Sequence, residues 1–390
     1  MEQLQESLST DVRHGIEHLG EGAELVSQGK LHEALAHFQS ELERDPKDAN
    51  AMVGMGMALH SLGQYDEAMA LFKQAILLDP DNAEAHGNLG ILHLLQGNYT
   101  EGWPEYEWRY KSPARAREFS QPFWEGQGFA DKTVLLHATQ RLSDTLNFCR
   151  FIPLVKAKGG RVVVECQPEL RKIVGLMHEV DEVYSRGEEL PEFDYHLPML
   201  ALPRLFQTDA FSIPGEIPYL KVSHNLRTRW QKYFAKHKRM RVGVVWSRNP
   251  DNPYHQSGTC PLEIFQDIFK VPGVQFYNLH KDLNQKEVKI LENTDTVIDI
   301  HERLKDFQHT AACISNLDLI IAVDTATAHL AGALGKAVWM LLPFVPDWRW
   351  RLEWEDTPWY PNTRLFRQHM VGDWESVITD VIAALRHYHK

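Results

Sequence analysis

The stretch VDTATAHLAGALG, residues Val323 to Gly335, decides the fold of the second half of the chain. An apolar run from Leu317 to Val323 leads into it, and small residues suited to a helix follow Thr325. A buried strand that passes directly into a helix is the repeating unit of a parallel sheet covered by helices. Free N–H groups and the dipole at such a helix start favour an anion such as a diphosphate. Taken alone, the segment would also fit an ordinary capped helix.

The same alternation of short apolar runs and helix-length segments extends outward from this stretch, beginning after Asp131. It predicts strands at Val134–Ala138, Arg161–Cys166, Glu182–Ser185 and Tyr195–Pro198, and then at Val242–Trp246, Val274–Leu279, Val297–Ile300, Leu317–Val323 and Val338–Leu342. Two Rossmann-like lobes are therefore expected, the first at 133–238 and the second at 239–372, with the ligand in the cleft between them. A last helix, at 373–390, is expected to pack back on the first lobe.

The N-terminal part of the chain is repetitive. GKLHEA at Gly29, GQYDEA at Gly63 and GNYTEG at Gly97 are spaced 34 residues apart. The period resembles the tetratricopeptide repeat, a pair of antiparallel helices. We predict repeats at 15–48, 49–82 and 83–116, within a domain at 1–111, and a connector at 112–132 that contains Pro and Gly. The resemblance implies a surface for a protein or peptide, although packing or dimerisation would fit the same pattern. The aromatic-rich third repeat is expected to dock on the following domain.

Composition and charge exclude several classes of protein. At 390 residues, with 43% apolar and 24% charged residues, the chain is long enough for two or three folded domains. A net charge of −12 without a long basic block argues against a nucleic-acid partner. No apolar run approaches the roughly 20 residues of a membrane span. The start MEQLQESLST lacks the features of a secretory signal, so we expect a cytoplasmic protein.

Several blocks of the α/β part resemble the heptosyltransferase-like family 9 glycosyltransferases. Besides residues 323–335, these blocks are SDTLNFCRFIP from Ser143, VVWSRNP from Val244, LLPFVPDWRW from Leu341 and DTPWYP from Asp356. The resemblance covers most of residues 133–368 and implies an α/β GT-B module with an acceptor lobe, a donor lobe and a nucleotide-sugar between them. With the α-helical repeat stack, the chain resembles bacterial tetratricopeptide-glycosyltransferase fusions, some of which glycosylate proteins. Flagellin or another surface protein is the implied partner.

The resemblance also implies roles for individual residues. Asp144 is the candidate base for the acceptor hydroxyl, although it could instead cap the following helix. The residues expected to hold the donor and its phosphates are Asp324, Thr325, Ala326, His329, Lys281 and Arg248, and those expected to line the donor pocket are Trp246, Trp348 and Trp350. Structural alternatives remain open: the cations could be solvated surface charges, the histidine a buried and hydrogen-bonded one, and the tryptophans core residues.

The loop before the candidate base departs from the family pattern. It reads TQRLSD at residues 139–144, where the family usually has EQGLGD, so Gln140, Arg141 and Ser143 form the predicted acceptor loop. Arginine and serine in place of glycine add Cβ atoms where a ligand or a positive φ could require their absence. A second block, GTCPL at Gly258, lacks the cation of the usual RSIPL. These losses fit either a changed substrate or a loss of catalysis.

The α/β part contains no D-x-D motif, so we expect transfer without a metal or other cofactor. The helix start and nearby cations would stabilise the leaving group, and direct displacement would invert the anomeric carbon. The prediction is a metal-independent, inverting glycosyltransferase. The alternative is an inactive glycosyltransferase-like scaffold that binds a protein through its repeats. A hydrolase or dehydrogenase is disfavoured because G-x-S-x-G and G-x-G-x-x-G are absent.

Overall fold

The computed structural model describes residues 20–111, 117–138, 141–248 and 258–388. Its N-terminal part is a stack of antiparallel helices, and its C-terminal part contains two parallel sheets with helices around them. The predicted fold class, an α-helical repeat stack plus an α/β module with two sheets, is confirmed. Within the described ranges, no helix combines the length and the apolar character that crossing a membrane requires.

The repeat stack is built from helix pairs at the predicted period. Its helices are Gly20–Ser27, Leu31–Arg44, Ala49–Ser61, Tyr65–Leu78, Ala83–Gln96 and Tyr99–Tyr106, followed by a 3-10 turn at Glu107–Tyr110. Two of these helices begin at polar caps, because the side chain of Asp48 accepts from the N–H groups of Asn50 and Ala51, and that of Asn82 accepts from Ala85.

Close contact between the two helices of a repeat explains its recurring small residues. A Cβ added to Gly56 would lie 2.6 Å from the ring of Phe72, and one added to Gly90 would lie 2.3 Å from the backbone nitrogen of Tyr106. Both distances are shorter than van der Waals contact, so these positions require glycine. Phe72 is fully buried, as expected for the aromatic that fills the space inside the stack.

The first sheet contains four parallel strands in the order β3-β2-β1-β4. They are β1 Thr133–His137, β2 Arg161–Cys166, β3 Glu182–Ser185 and β4 Tyr195–Pro198. Between β1 and β2 lie the helices Leu142–Phe148 and Ile152–Lys156, and shorter helices at Arg171–Val174 and Leu202–Leu205 follow β2 and β4. Because all strands are parallel, their carboxyl ends share one edge, where residues such as His137 and Pro198 lie side by side.

The second sheet contains six parallel strands in the order β10-β9-β8-β5-β6-β7. They are β5 Met240–Val245, β6 Val274–Asn278, β7 Val297–Asp299, β8 Leu319–Val323, β9 Val338–Leu342 and β10 Thr363–Arg367. The helices around them are Leu262–Phe265, Gln285–Glu292, Phe307–Ile314 and Ala326–Ala333. The edge strand β10 was not among the predicted strands, because alternating charged and apolar residues in TRLFR lack the continuous apolar run of the buried strands.

Two helices pack differently from the prediction. The C-terminal helix, Trp374–Tyr388, lies against the second lobe and not the first, because its apolar face, including Val377 and Val381, shares a core with β5, β8 and β9. The helix His224–Phe234, inside the predicted first lobe, also contacts the second sheet. There the Phe234 ring lies 4.8 Å from the ring of Tyr277, measured between centroids.

The third repeat docks on the α/β module, as predicted. The Trp103 ring meets the Trp348 ring edge to face at 5.3 Å, and its indole N–H donates to the carbonyl of Thr208 at 2.6 Å. The Trp348 indole also donates to the Tyr106 hydroxyl, at 3.3 Å. One continuous apolar core therefore runs from the repeats through both lobes.

Candidate functional site

Asp144 lies in the first turn of the helix Leu142–Phe148, just beyond the carboxyl end of β1. Asp144 is 4% exposed, and its carboxylate accepts from Nη2 of the buried Arg349 at 2.6 Å. Arg349 also donates to Asp347 at 2.9 Å. Burial alone would raise the pKa of Asp144, but the guanidinium groups of Arg349 and Arg141 hold it below its usual range. The candidate base is therefore ionised and fixed in position, and it is not a helix cap.

A second polar group lies where β8 ends and the helix Ala326–Ala333 begins. We call this element the His329 helix. Its N-cap residue Thr325 accepts from the N–H of Ala328, and Thr325 and Ala326 are both half-buried. Arg248 donates to the backbone oxygen of Asp324 at 2.8 Å and to its carboxylate at 2.7 Å. Arg248 is therefore held beside the helix start by Asp324 and is not a solvated surface charge.

His329 is buried in the first turn of its helix. Its Nε2 hydrogen bonds to the carboxylate of Asp324 at 3.1 Å, and its Nδ1 to the hydroxyl of Tyr360 at 2.8 Å. Burial would lower the pKa of His329, but Tyr360 and Asp324 raise it to about 9. Burial would likewise raise the pKa of Asp324, yet Arg248 and His329 hold it well below its usual range. At neutral pH, His329 is therefore a cation that donates from both ring nitrogens.

These two groups are joined across the lobes. Asn147 donates to the Tyr360 hydroxyl at 3.0 Å, and its own amide oxygen accepts from Nε of Arg349 at 3.3 Å. The helix that carries Asp144 packs directly against the His329 helix. We call the connected set the inter-lobe network: Asp144, Arg349, Asn147, Tyr360, His329, Asp324 and Arg248.

The raised pKa of His329 predicts a pH dependence of stability. Because the folded chain favours protonated His329, this contribution is fully present below pH 6.5 and is lost as the pH rises through about 9. We expect the free energy of unfolding, measured with urea, to fall over that interval, and the fall to be smaller in His329→Gln. The exposed His224 supplies the control, since His224→Gln should retain the wild-type slope. Identical slopes in all three proteins would contradict the assignment.

The three tryptophans predicted to line the donor pocket are all buried. Trp246 is fully buried in the second-lobe core and donates to Glu287, because its side chain points to the face covered by the C-terminal helix. Trp348 belongs to the docking contact with the repeats. Trp350, also buried, packs against His329 with ring centroids 5.4 Å apart. Core packing thus accounts for Trp246 and Trp348, whereas Trp350 lies beside the predicted donor residue His329.

The remaining predicted residues fall in different places. Lys281 is exposed beyond the carboxyl end of β6, the sheet edge that also carries Arg248. Arg141 lies 3.8 Å from the Asp347 carboxylate, and Ser143 is half-buried one residue before Asp144. Gln140 lies outside the described residues.

A cavity of about 300 Å³ lies at the carboxyl ends of β1 and β4, beside the end of the repeat stack. All of its described lining residues come from the third repeat, the connector and the first lobe, so among the described residues it does not extend into the second lobe as the predicted cleft would. We call it the junction pocket. Its lining residues are Arg109, Tyr110, Lys111, Arg117, Phe123, His137, Ala138, Arg141, Asp144, Arg186, His196, Pro198 and Leu200. Of these, Asp144 and Arg141 were predicted site residues.

Sequence reasoning missed other members of both sites. Arg349 and Tyr360 lie within blocks that carried the family resemblance, LLPFVPDWRW and DTPWYP, so a signal for them existed. His137 was predicted as strand only, although it ends β1 at the sheet edge where ligands bind. Arg109 and Lys111 belong to the third repeat, and no sequence pattern places them beside β1.

Comparisons with known proteins agree with this architecture. Two family models match the N-terminal part: "TPR repeat" over residues 56–97 and "Tetratricopeptide repeat" over residues 19–76. Protein FlbA of Caulobacter vibrioides is 27% identical over 325 residues, which are 76% of this chain and 54% of FlbA. The chain thus spans about half the length of that curated relative.

Solved structures resemble the α/β module. A glycosyl transferase family 9 protein from Veillonella parvula matches with a TM-score of 0.52 at 12% identity, over 68% of this chain and 99% of that one. The E. coli ADP-heptose lps heptosyltransferase II gives a TM-score of 0.47 at 13% identity, over 65% and 99%. The first of these likenesses shows that the α/β module shares the fold of that family 9 protein.

Proposed function

We propose that this chain, a tetratricopeptide repeat stack joined to a glycosyltransferase-like α/β module, transfers a sugar from a nucleotide-sugar to an acceptor. The observation that carries the proposal is the inter-lobe network. It links an ionised carboxylate beside a cavity, Asp144, to a helix start with an adjoining guanidinium, Arg248. Group transfer between two bound molecules needs both elements: a base at the acceptor and positive groups at the leaving phosphate.

In the proposed reaction, the acceptor hydroxyl attacks the anomeric carbon while Asp144 takes its proton. The bond from that carbon to the diphosphate oxygen breaks, and its electron pair stays on the diphosphate. That charge would be stabilised by the N–H groups at Thr325 and Ala326 and by the exposed Lys281. Arg248 and His329 would hold the Asp324 carboxylate in position at the helix start. Attack opposite the leaving group inverts the anomeric carbon. No metal or other cofactor is proposed, since these groups supply the positive charge.

We further propose that the acceptor is a protein held by the repeats, such as flagellin or another surface protein. Tetratricopeptide stacks present extended surfaces that suit protein or peptide partners. The third repeat supplies Arg109, Tyr110 and Lys111 to the wall of the cavity that also contains Asp144. A partner on the repeats would therefore lie next to the candidate base.

The alternative, an inactive scaffold, is favoured by one observation. The ion pair between Asp144 and Arg349 lowers the pKa of the carboxylate, which makes it a weaker base. Such a protein would bind a partner through its repeats, with or without a nucleotide, and would transfer no sugar.

A nucleotide screen tests the proposal. We expect UDP, GDP, ADP or CMP to raise the melting temperature of the full chain, and the matching nucleotide-sugar to be hydrolysed slowly without added acceptor, equally with and without EDTA. Ala326→Pro, which removes the N–H of the first helical residue at a position where the φ of proline fits, should abolish the melting shift, while Thr379→Ala, an exposed helix position, should retain it. Binding without hydrolysis or transfer would favour the scaffold, and no binding of any nucleotide would reject the donor site.

A further inference from the structure

The junction pocket has a charge opposite to that of the whole chain. The net charge of the chain is −12, yet five cationic side chains and one carboxylate, Asp144, line this cavity. Cations gathered around a small cavity raise the local concentration of anions. The five cations are Arg109, Lys111, Arg117, Arg141 and Arg186.

Two of these cations are already neutralised. Arg117 forms an ion pair with the buried Glu165, and Arg141 lies near Asp347. The other three have different contacts: Arg109 donates to the Tyr106 hydroxyl, Lys111 lies over the Trp108 ring and Arg186 donates to the Ala138 carbonyl. Within the described ranges, no carboxylate forms an ion pair with any of these three.

The rest of the lining is uncharged. His137 and His196 are buried and hydrogen bonded to each other at 3.3 Å. Burial and then Arg117 lower the pKa of His137, and burial lowers the pKa of His196, so both histidines are neutral at pH 7. Phe123, 49% exposed, and Leu200 add apolar surface, which suits the ring or carbon skeleton of a ligand.

We propose that the junction pocket binds a small molecule, or the end of a larger one, through a carboxylate or phosphate group held by Arg109, Lys111 and Arg186. The site is shared between two domains, because two of these cations come from the third repeat and one from the first lobe. Binding of the anion needs no sugar transfer. Asp144 lines the same pocket, so the bound molecule would be the acceptor. Only this identification rests on the proposed function.

Three sugars of similar size test this site by calorimetric titration of the full chain at low ionic strength. Glucuronate carries a carboxylate, glucose 6-phosphate a phosphate, and glucose neither. We expect one anionic sugar to bind at least about tenfold more tightly than glucose, and added salt to weaken that binding. Which of the two anions binds identifies the group that the pocket selects.

Charge reversal then locates the bound anion. Lys111→Glu and Arg109→Glu should each weaken binding by about tenfold or more, because the added carboxylate repels the ligand. The exposed Lys73 of the second repeat is the matched control, and Lys73→Glu should bind as wild type does. Equal binding of glucose and the anions, or unchanged affinity in both pocket variants, would overturn the inference. Thermal unfolding verifies that each variant is folded. If the wild-type chain binds none of the nucleotides but still binds the anionic sugar, the proposed donor site is rejected and the anion site is retained.

Discussion

Replacing Asp144 with asparagine should lower the rate of sugar transfer by about 10²- to 10⁴-fold, the usual contribution of a positioned general base. Asparagine keeps the shape of the side chain and an oxygen that can accept from Arg349, but it cannot take a proton. Nucleotide binding should be retained, because the helix start at Thr325 belongs to the other lobe. The rate is measured with the donor that the nucleotide screen identifies.

The control for this variant is Asp267→Asn, which changes an exposed carboxylate paired with Lys270. It should transfer at the wild-type rate. Transfer at the wild-type rate by Asp144→Asn would remove Asp144 as the base, and the neutral His137 in the same pocket would become the next candidate. If the variant loses both nucleotide binding and transfer, the substitution has disturbed the structure of the inter-lobe network and has not only removed the base.

Replacing Arg349 with methionine should cost about 3–5 kcal/mol of unfolding free energy, the usual effect of removing one partner from a buried ion pair. Arg349 is 2% exposed, and its loss leaves the carboxylates of Asp144 and Asp347 without their shared cation. Urea unfolding at neutral pH measures the change. The double variant Asp144→Asn with Arg349→Met should recover part of the lost unfolding free energy, because one of the two carboxylates that pair with Arg349 is then neutral.

The matched control for this stability change is Arg364→Met. Arg364 is an exposed arginine 3.9 Å from the carboxylate of Glu355, and such surface pairs contribute about 0–1 kcal/mol. A loss in Arg349→Met no larger than in this control would show that the inter-lobe ion pair contributes little to the fold.

Regular patterns made much of the fold predictable. The period of 34 residues and the strand-length apolar runs depend on local spacing, and the predicted strand Arg161–Cys166 has the bounds found in the structure. The direction in which the C-terminal helix packs could not be predicted, because its apolar stripe fits any exposed apolar sheet face. Only the folded chain shows that the face near Trp339 and Phe366 is the one left to cover.

The candidate site was less predictable than the fold. Motif resemblance identified Asp144 and Asp324, which follow strands at sheet edges, but it could not assign partners that are distant in the chain. Arg349 lies 205 positions from Asp144 and still binds its carboxylate. Trp246 was misplaced because in a parallel sheet both faces are buried, so an apolar pattern does not tell which face a side chain occupies.

The docking of Trp103 and Tyr106 on Trp348 fixes the described part of the third repeat directly against the α/β module. A partner bound to the repeats would then be held at a fixed distance from the carboxylate of Asp144. If the proposed function holds, this fixed distance would select acceptor positions by their spacing from the bound segment, and lengthening or shortening that spacing would move the modified position without altering either binding surface.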